Sequence, residues 1–202
     1  NGRTYTGTVE ITVGTSASAS DFPLPFSDVS PTDYYYEPIR WAVYNGIAEG
    51  VSQTRFGVNE PCSRGQIVTY LWRAAGSPEP TASEMTFTDV KADSYYYKAV
   101  LWAVENKITS GMSDTLFAPD ATCSRSQIVT FLYRYAGKPS GYYSNPFKDV
   151  SSVNEASYYN AILWAVGKGI TQGTSTTTFS PYASCTRGEA VTFLYRYVNG
   201  VK

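Results

Sequence analysis

A five-residue box occurs three times in this chain: Cys62-Ser63-Arg64-Gly65-Gln66, Cys123-Ser124-Arg125-Ser126-Gln127 and Cys185-Thr186-Arg187-Gly188-Glu189. Its arginines lie 61 and then 62 residues apart, so it marks a repeat of nearly constant length. A repeat of this kind limits the fold to one supersecondary unit, built three times and stacked on itself. Each box opens an apolar run, at 67–71, 128–132 and 190–194. Ser or Thr followed three residues later by Gln or Glu, just ahead of apolar residues, is a capping box. The arginine then occupies the first position of a helix, where a cation is unfavourable by roughly 0.3–1 kcal/mol. An anion held by both the free backbone N–H groups and the guanidinium would account for that placement, and this is the expectation for the site.

The rest of the unit repeats with the box. Each copy begins Phe-x-Asp-Val, at Phe26 to Val29, Phe87 to Val90 and Phe147 to Val150. Tyrosines follow at 34–36, 95–97 and 158–159, then a helical stretch containing Trp-Ala-Val at 41–43, 102–104 and 164–166. In the first copy Tyr35, Ile39, Ala42, Val43 and Gly46 follow helical spacing and read as one apolar face. Gly46 and Gly169 are expected to stop this helix in a left-handed conformation, with Asn106 in that role in the middle copy. A loop signature follows at 46–50, 107–111 and 169–173, and the loop leads through Phe56, Phe117 and Phe179 to the box and second helix. Gly76 and Gly137 are the expected caps of the second helices. Each unit therefore reads as helix, irregular loop, helix. The predicted fold is all-α, with the three helix-loop-helix repeats packed together into one body, because two short helices bury too little alone.

The predicted organisation is repeat 1 at 21–81, repeat 2 at 82–141 and repeat 3 at 142–202. Residues 1–20 differ. Thr8 to Val13 alternates as a strand does and Gly14 to Ser20 reads as a linker, so this segment is expected to be the end of a preceding β-rich domain.

Composition excludes several functions. A net charge of −1 gives no general attraction to nucleic acid or to an anionic membrane. No stretch approaches the roughly 20 apolar residues of a membrane span, and none reads as a signal peptide. Histidine is absent, which removes the commonest general base and metal ligand. The recurring acidic residues repeat by symmetry, whereas a glycosidase needs one asymmetric pair of carboxylates. The expectation is no catalytic residue, no cofactor and no metal. The three cysteines sit at equivalent positions and have no zinc-like spacing; they read as small buried hydrophobes, with a reactive or clustered thiol set as the alternative. The 18 tyrosines, with few charges, suit an extracellular surface that touches sugars.

The ordered set Phe-x-Asp-Val, Trp-Ala-Val, Gly-Ile-x-x-Gly, Phe then Pro, and Thr-Arg-x-Glu resembles the surface-layer homology (SLH) domain. The resemblance covers residues 26–198 in three tandem copies. It implies non-covalent attachment of a surface protein to a bacterial cell wall through a secondary wall polysaccharide, often one ending in pyruvylated N-acetylmannosamine. It also implies that the three helix-loop-helix repeats pack as a pseudo-threefold trimer within one chain, with ligand grooves between neighbouring repeats, and a location at the cell surface. Direct peptidoglycan binding and self-assembly into a lattice are the alternatives. The isolated triplet is expected to be a monomer that neither inserts in membranes nor binds nucleic acid.

The candidate ligand-binding residues follow from both arguments. Arg64, Arg125 and Arg187 lead, since a guanidinium meets an ionised ketal carboxylate with paired hydrogen bonds; the competing reading pairs each with an acidic residue of the next repeat, such as Asp28, Asp89 or Asp149. Asp28, Asp89 and Asp149 are candidates whose competing role is to bind backbone donors. Trp41, Trp102 and Trp164 stack on sugar or pack in the core. Gly50, Gly111 and Gly173 provide positive backbone dihedrals or close approach to a ligand. Two copies carry Gln where the family pattern has Glu, and Lys107 stands where the other copies have Gly.

Overall fold

The computed structural model describes residues 22–154 and 156–200, so the expected strand and linker before residue 21 lie outside the described residues. Six helices follow in order: α1 Tyr36–Tyr44, α2 Arg64–Ala74, α3 Tyr97–Glu105, α4 Arg125–Tyr135, α5 Tyr159–Gly167 and α6 Arg187–Asn199. Among the described residues there is no β-strand beyond isolated bridges, and the all-α expectation holds.

The longer helices α2, α4 and α6 begin with the three boxes and contact one another at the centre. Each has a complete capping box: Ser63, Ser124 and Thr186 accept the third residue's N–H, and Gln66, Gln127 and Glu189 accept the cap residue's own N–H. The shorter helices α1, α3 and α5 have nine residues each and no side-chain cap, too little for a stable isolated helix. They are held by packing, and their partner is not the second helix of their own repeat. α3 packs on α2, α5 on α4 and α1 on α6, so each first helix lies against the second helix of the preceding repeat. The third repeat closes on the first, and one continuous apolar core runs through all three.

On the pseudo-threefold axis the cysteines form a backbone triangle. Cys62 N–H donates to Cys185 O (2.8 Å), Cys123 N–H to Cys62 O (2.8 Å) and Cys185 N–H to Cys123 O (3.0 Å). All three are fully buried and unpaired. The buried-hydrophobe reading fits this position, and the described residues contain no cluster of His, Cys, Asp and Glu able to hold a metal.

One helix stop differs from the sequence reading. Gly46 and Gly169 do take positive φ (65° and 73°), as do Gly76 (85°) and Gly137 (79°). In the middle repeat, however, Asn106 is the C-cap at φ −86° and Lys107 adopts the left-handed conformation at φ 58°. The geometry belongs to the alignment position of Gly46 and Gly169, and Lys107 fills it despite the steric cost of a side chain there.

Candidate functional site: three grooves between repeats

The box was expected to offer unbonded N–H groups to an anion, and the structure corrects this. At α2 the Arg64 N–H donates to Ala121 O (3.0 Å) and Gly65 N–H to Pro119 O (2.8 Å), both in the loop of the next repeat. Arg125 and Ser126 bond Ala183 O and Pro181 O in the same way, and Arg187 and Gly188 bond Glu60 O and Val58 O. With the capping boxes taking the remaining donors, each helix start is saturated by protein. Carbonyl dipoles of the neighbouring repeat thus stand where an anion was expected.

The arginine side chains reinforce the same joint. Nε of Arg64, Arg125 and Arg187 donates to the carbonyl oxygens of Phe117 (2.8 Å), Phe179 (3.0 Å) and Phe56 (3.0 Å). Each guanidinium lies over the ring of that phenylalanine, at 4.8 Å for Arg64 and Arg187 and 5.2 Å for Arg125. The arginines are 3–4% exposed. What remains for chemistry is the outer Nη edge, which faces a groove, and the three edges differ. Arg187 Nη1 donates to Tyr70 Oη (2.7 Å) and Nη2 to Glu49 O (2.6 Å). Arg125 Nη1 is ion-paired with Glu189 at 2.6 Å, and its Nη2 reaches Thr171 Oγ1 at 3.4 Å. Arg64 Nη2 is buried and has no hydrogen-bond partner. The ion-pair reading of the sequence therefore holds for Arg125, with Glu189 as the partner rather than any of the three aspartates.

Sequence reasoning missed a second arginine in each repeat, and two of the three enter a groove. Arg73, Arg134 and Arg196 donate Nη1 to the carbonyl oxygens of Ile47, Ile108 and Ile170. Each follows its box arginine by nine residues. Nine residues turn a helix by about two and a half turns, so the two arginines of one helix point to opposite sides. Arg73 consequently joins Arg187, and Arg134 joins Arg64, in separate grooves. The repeat spacing carried this signal; the expectation of one arginine per unit hid it.

The groove at Arg187 has a volume of about 300 Å3 and is lined by Glu49, Gly50, Gln66, Tyr70, Arg73 and Tyr95 among others, with the Glu49 carboxylate ion-paired to Arg73 at 3.3 Å. The groove at Arg64 is smaller, about 120 Å3, and is lined by Thr109, Ser110, Gly111, Gln127, Arg134 and Tyr158 among others. Gly50 and Gly111 thus share a groove with an arginine. All three loop glycines are also compelled by packing. A Cβ at Gly50, Gly111 or Gly173 would lie 2.5, 2.4 or 2.6 Å from the ring of Phe26, Phe87 or Phe147.

The structure does not bring the aspartates or the tryptophans into these grooves. Asp28 accepts from the N–H groups of Phe56 (2.8 Å), Gly57 (2.8 Å) and Val58 (3.2 Å). Asp89 holds Phe117 and Ala118, and Asp149 holds Phe179 and Ser180, so each carboxylate fixes the loop that carries the arginine's phenylalanine. Burial acts to raise the Asp28 pKa, but the three backbone donors outweigh it and hold the carboxyl below its usual value. Trp41, Trp102 and Trp164 are buried edge-on or tilted against Tyr195, Tyr135 and Tyr197 at 5.5–5.8 Å. The first tyrosine of two clusters is instead exposed at a groove. Tyr95 (58% exposed) rims the Arg187 groove, and Tyr34 (60%) lies close enough to Glu189 and Arg125 to feel their charges.

Comparison with known proteins bears on this geometry. The family model for the S-layer homology domain matches residues 25–68, 86–129 and 146–191. The chain is 29% identical to a surface-layer 125 kDa protein of Lysinibacillus sphaericus over 83% of its own length and 14% of that protein's. It is 25% identical to a cellulosome-anchoring protein of Acetivibrio thermocellus, over 66% of this chain and 31% of that one. It is also 23% identical to an amylopullulanase of Thermoanaerobacterium thermosulfurigenes, over 88% of this chain but 10% of the enzyme. The chain spans between 10 and 31% of the length of these relatives.

Proposed function

The chain belongs to the S-layer homology domain family, and from that premise we propose that it anchors a surface protein to the bacterial cell wall without a covalent bond. Its ligand is a secondary wall polysaccharide carrying carboxylate groups, a pyruvylated glycan containing N-acetylmannosamine. The observation that carries this reading is the convergence of two arginines from different repeats on each of two grooves. A guanidinium pair matches a carboxylate in charge and in planar geometry, and hydroxyl and amide groups beside it suit sugar hydroxyls. The relatives named as a surface-layer protein, a cellulosome-anchoring protein and an amylopullulanase share this segment, which covers 10–31% of their length. That distribution fits an attachment module whose work is binding, with any catalysis belonging to other parts of a larger protein. Several modest grooves on one rigid body gain retention through effective concentration.

The test is sedimentation of the chain with purified cell walls before and after chemical removal of the secondary polysaccharide. Binding that disappears with the polymer supports the proposal. Unchanged binding to stripped walls overturns it and points to peptidoglycan. Self-association in the absence of any wall material points to lattice assembly.

A further inference from the structure

The three box arginines sit in one repeated backbone frame, yet the residue two positions after each, Gln66, Gln127 or Glu189, gives them different electrostatic surroundings. In every capping box one oxygen of that side chain must accept the cap residue's N–H: Gln66 Oε1 from Ser63, Gln127 Oε1 from Ser124 and Glu189 Oε2 from Thr186, each at 3.0 Å. The other arm of the side chain is left for the groove. In Glu189 that arm is a second carboxylate oxygen, and it takes Arg125 at 2.6 Å. In Gln127 it is an NH2 group, which can only donate. A donor cannot satisfy Arg64, and its Nη2 is left buried without a partner. Burial works against the charged guanidinium and lowers the Arg64 pKa, outweighing the opposing influence of Asp89. Arg134 adds a second positive charge, and no acidic side chain lines this groove. Arg187 is intermediate: Gln66 supplies no carboxylate, but the neutral Tyr70 hydroxyl and Glu49 carbonyl occupy its Nη groups.

Building on the function proposed above, we propose that the grooves are unequal: the Arg64–Arg134 groove is the receptor for the ligand's carboxylate, and Glu189 closes the Arg125 groove to anions. The guanidinium groups of Arg64 and Arg134 and the side-chain amide of Gln127 converge on this groove, and no carboxylate lines it. Buried polar atoms of native proteins are rarely left unbonded, and an anionic oxygen supplies what this groove lacks. In the Arg125 groove an internal carboxylate already holds that place and repels a second one.

Two substitutions exchange the grooves while keeping each capping box: Gln127→Glu and Glu189→Gln. The probe is the methyl glycoside of N-acetylmannosamine bearing a 4,6-pyruvate ketal, titrated against parent and variants while the arginine Nε–Hε resonances are followed by NMR. Thermal melting checks that both variants fold. In the parent the Arg64 resonance responds and Arg125 stays silent. Gln127→Glu weakens the Arg64 response at least about tenfold, as a like charge in the receptor should. Glu189→Gln brings Arg125 into the response as a second site. The proposal is overturned if Gln127→Glu binds like the parent, if Arg125 answers in the parent while Arg64 does not, or if no arginine responds to the probe. Wall sedimentation separates this from failure of the anchoring function: parent and Gln127→Glu retained equally, both through the polysaccharide, would sink the groove assignment and leave the anchor intact.

Discussion

Among single residues, Asp28 shows how a repeated acidic position serves the fold. Its pKa is lowered in the folded chain, so its stabilising effect is present above the unfolded-state value near 3.8 and is lost as pH falls through the folded value. Melting temperature should fall as pH is lowered below about 4. Asp28→Asn should lower stability at neutral pH by about 1.5–3 kcal/mol, the worth of charged hydrogen bonds, and flatten this acid dependence. A variant with the parent's acid profile would show that the loop does not depend on the carboxylate. The cysteines make a second residue-scale prediction. Burial pushes the Cys62 thiol up to about 12, against a partly opposing influence from Arg187, and also raises Cys123 and Cys185. The native protein should not react with a thiol-specific disulfide reagent at pH 8, while the unfolded chain should titrate as three thiols. Rapid reaction of the native chain would place the thiols in an accessible, reactive setting instead.

At the level of elements, the helix starts teach most. The box legibly specified the capping box, the helix start and the position of the arginine, because these depend on residues three apart in sequence. It could not specify what satisfies the N–H groups of Arg64 and Gly65, since their acceptors at Ala121 and Pro119 lie more than 50 residues away in the next repeat. For the same reason the arginines' tether to phenylalanine carbonyls was out of reach, as was the loop-holding task of the aspartates. Removing such a tether has a structural cost. Arg187→Ala deletes three side-chain hydrogen bonds across the joint between the last and first repeats and should destabilise the chain by about 3 kcal/mol in denaturant unfolding. An unchanged midpoint would deny the joint its role. Lys107 is the opposite case. Its left-handed conformation costs about 1 kcal/mol relative to glycine, so Lys107→Gly should raise stability by roughly that amount, although glycine also gains freedom in the unfolded chain. A drop in melting temperature would mean that the Lys107 side chain contributes more than its conformation costs.

Over the whole molecule, packing of the three copies into one body followed from a unit too small to stand alone, whereas their pseudo-threefold arrangement was implied by the family resemblance. The pairing of each first helix with the preceding repeat was not legible, because apolar faces at helical spacing do not identify their partners. That pairing makes the groove a property of two repeats at once: one contributes the box arginine, and the next contributes the loop, the second arginine and the Gln or Glu that tunes it. Arg73, Arg134 and Arg196 became recognisable as site residues only after the ring had closed. Nearly all inter-repeat bonds keep their symmetry; it breaks at the Nη edges, where ligand chemistry would take place. The account rests on a carboxylate meeting those edges. The most direct measurement is calorimetric affinity for the purified wall polysaccharide, native and after reduction of its carboxylates to alcohols. At least about tenfold weaker binding to the reduced polymer is predicted, corresponding to loss of a charge-assisted guanidinium contact. Equal affinity for both polymers would contradict the account.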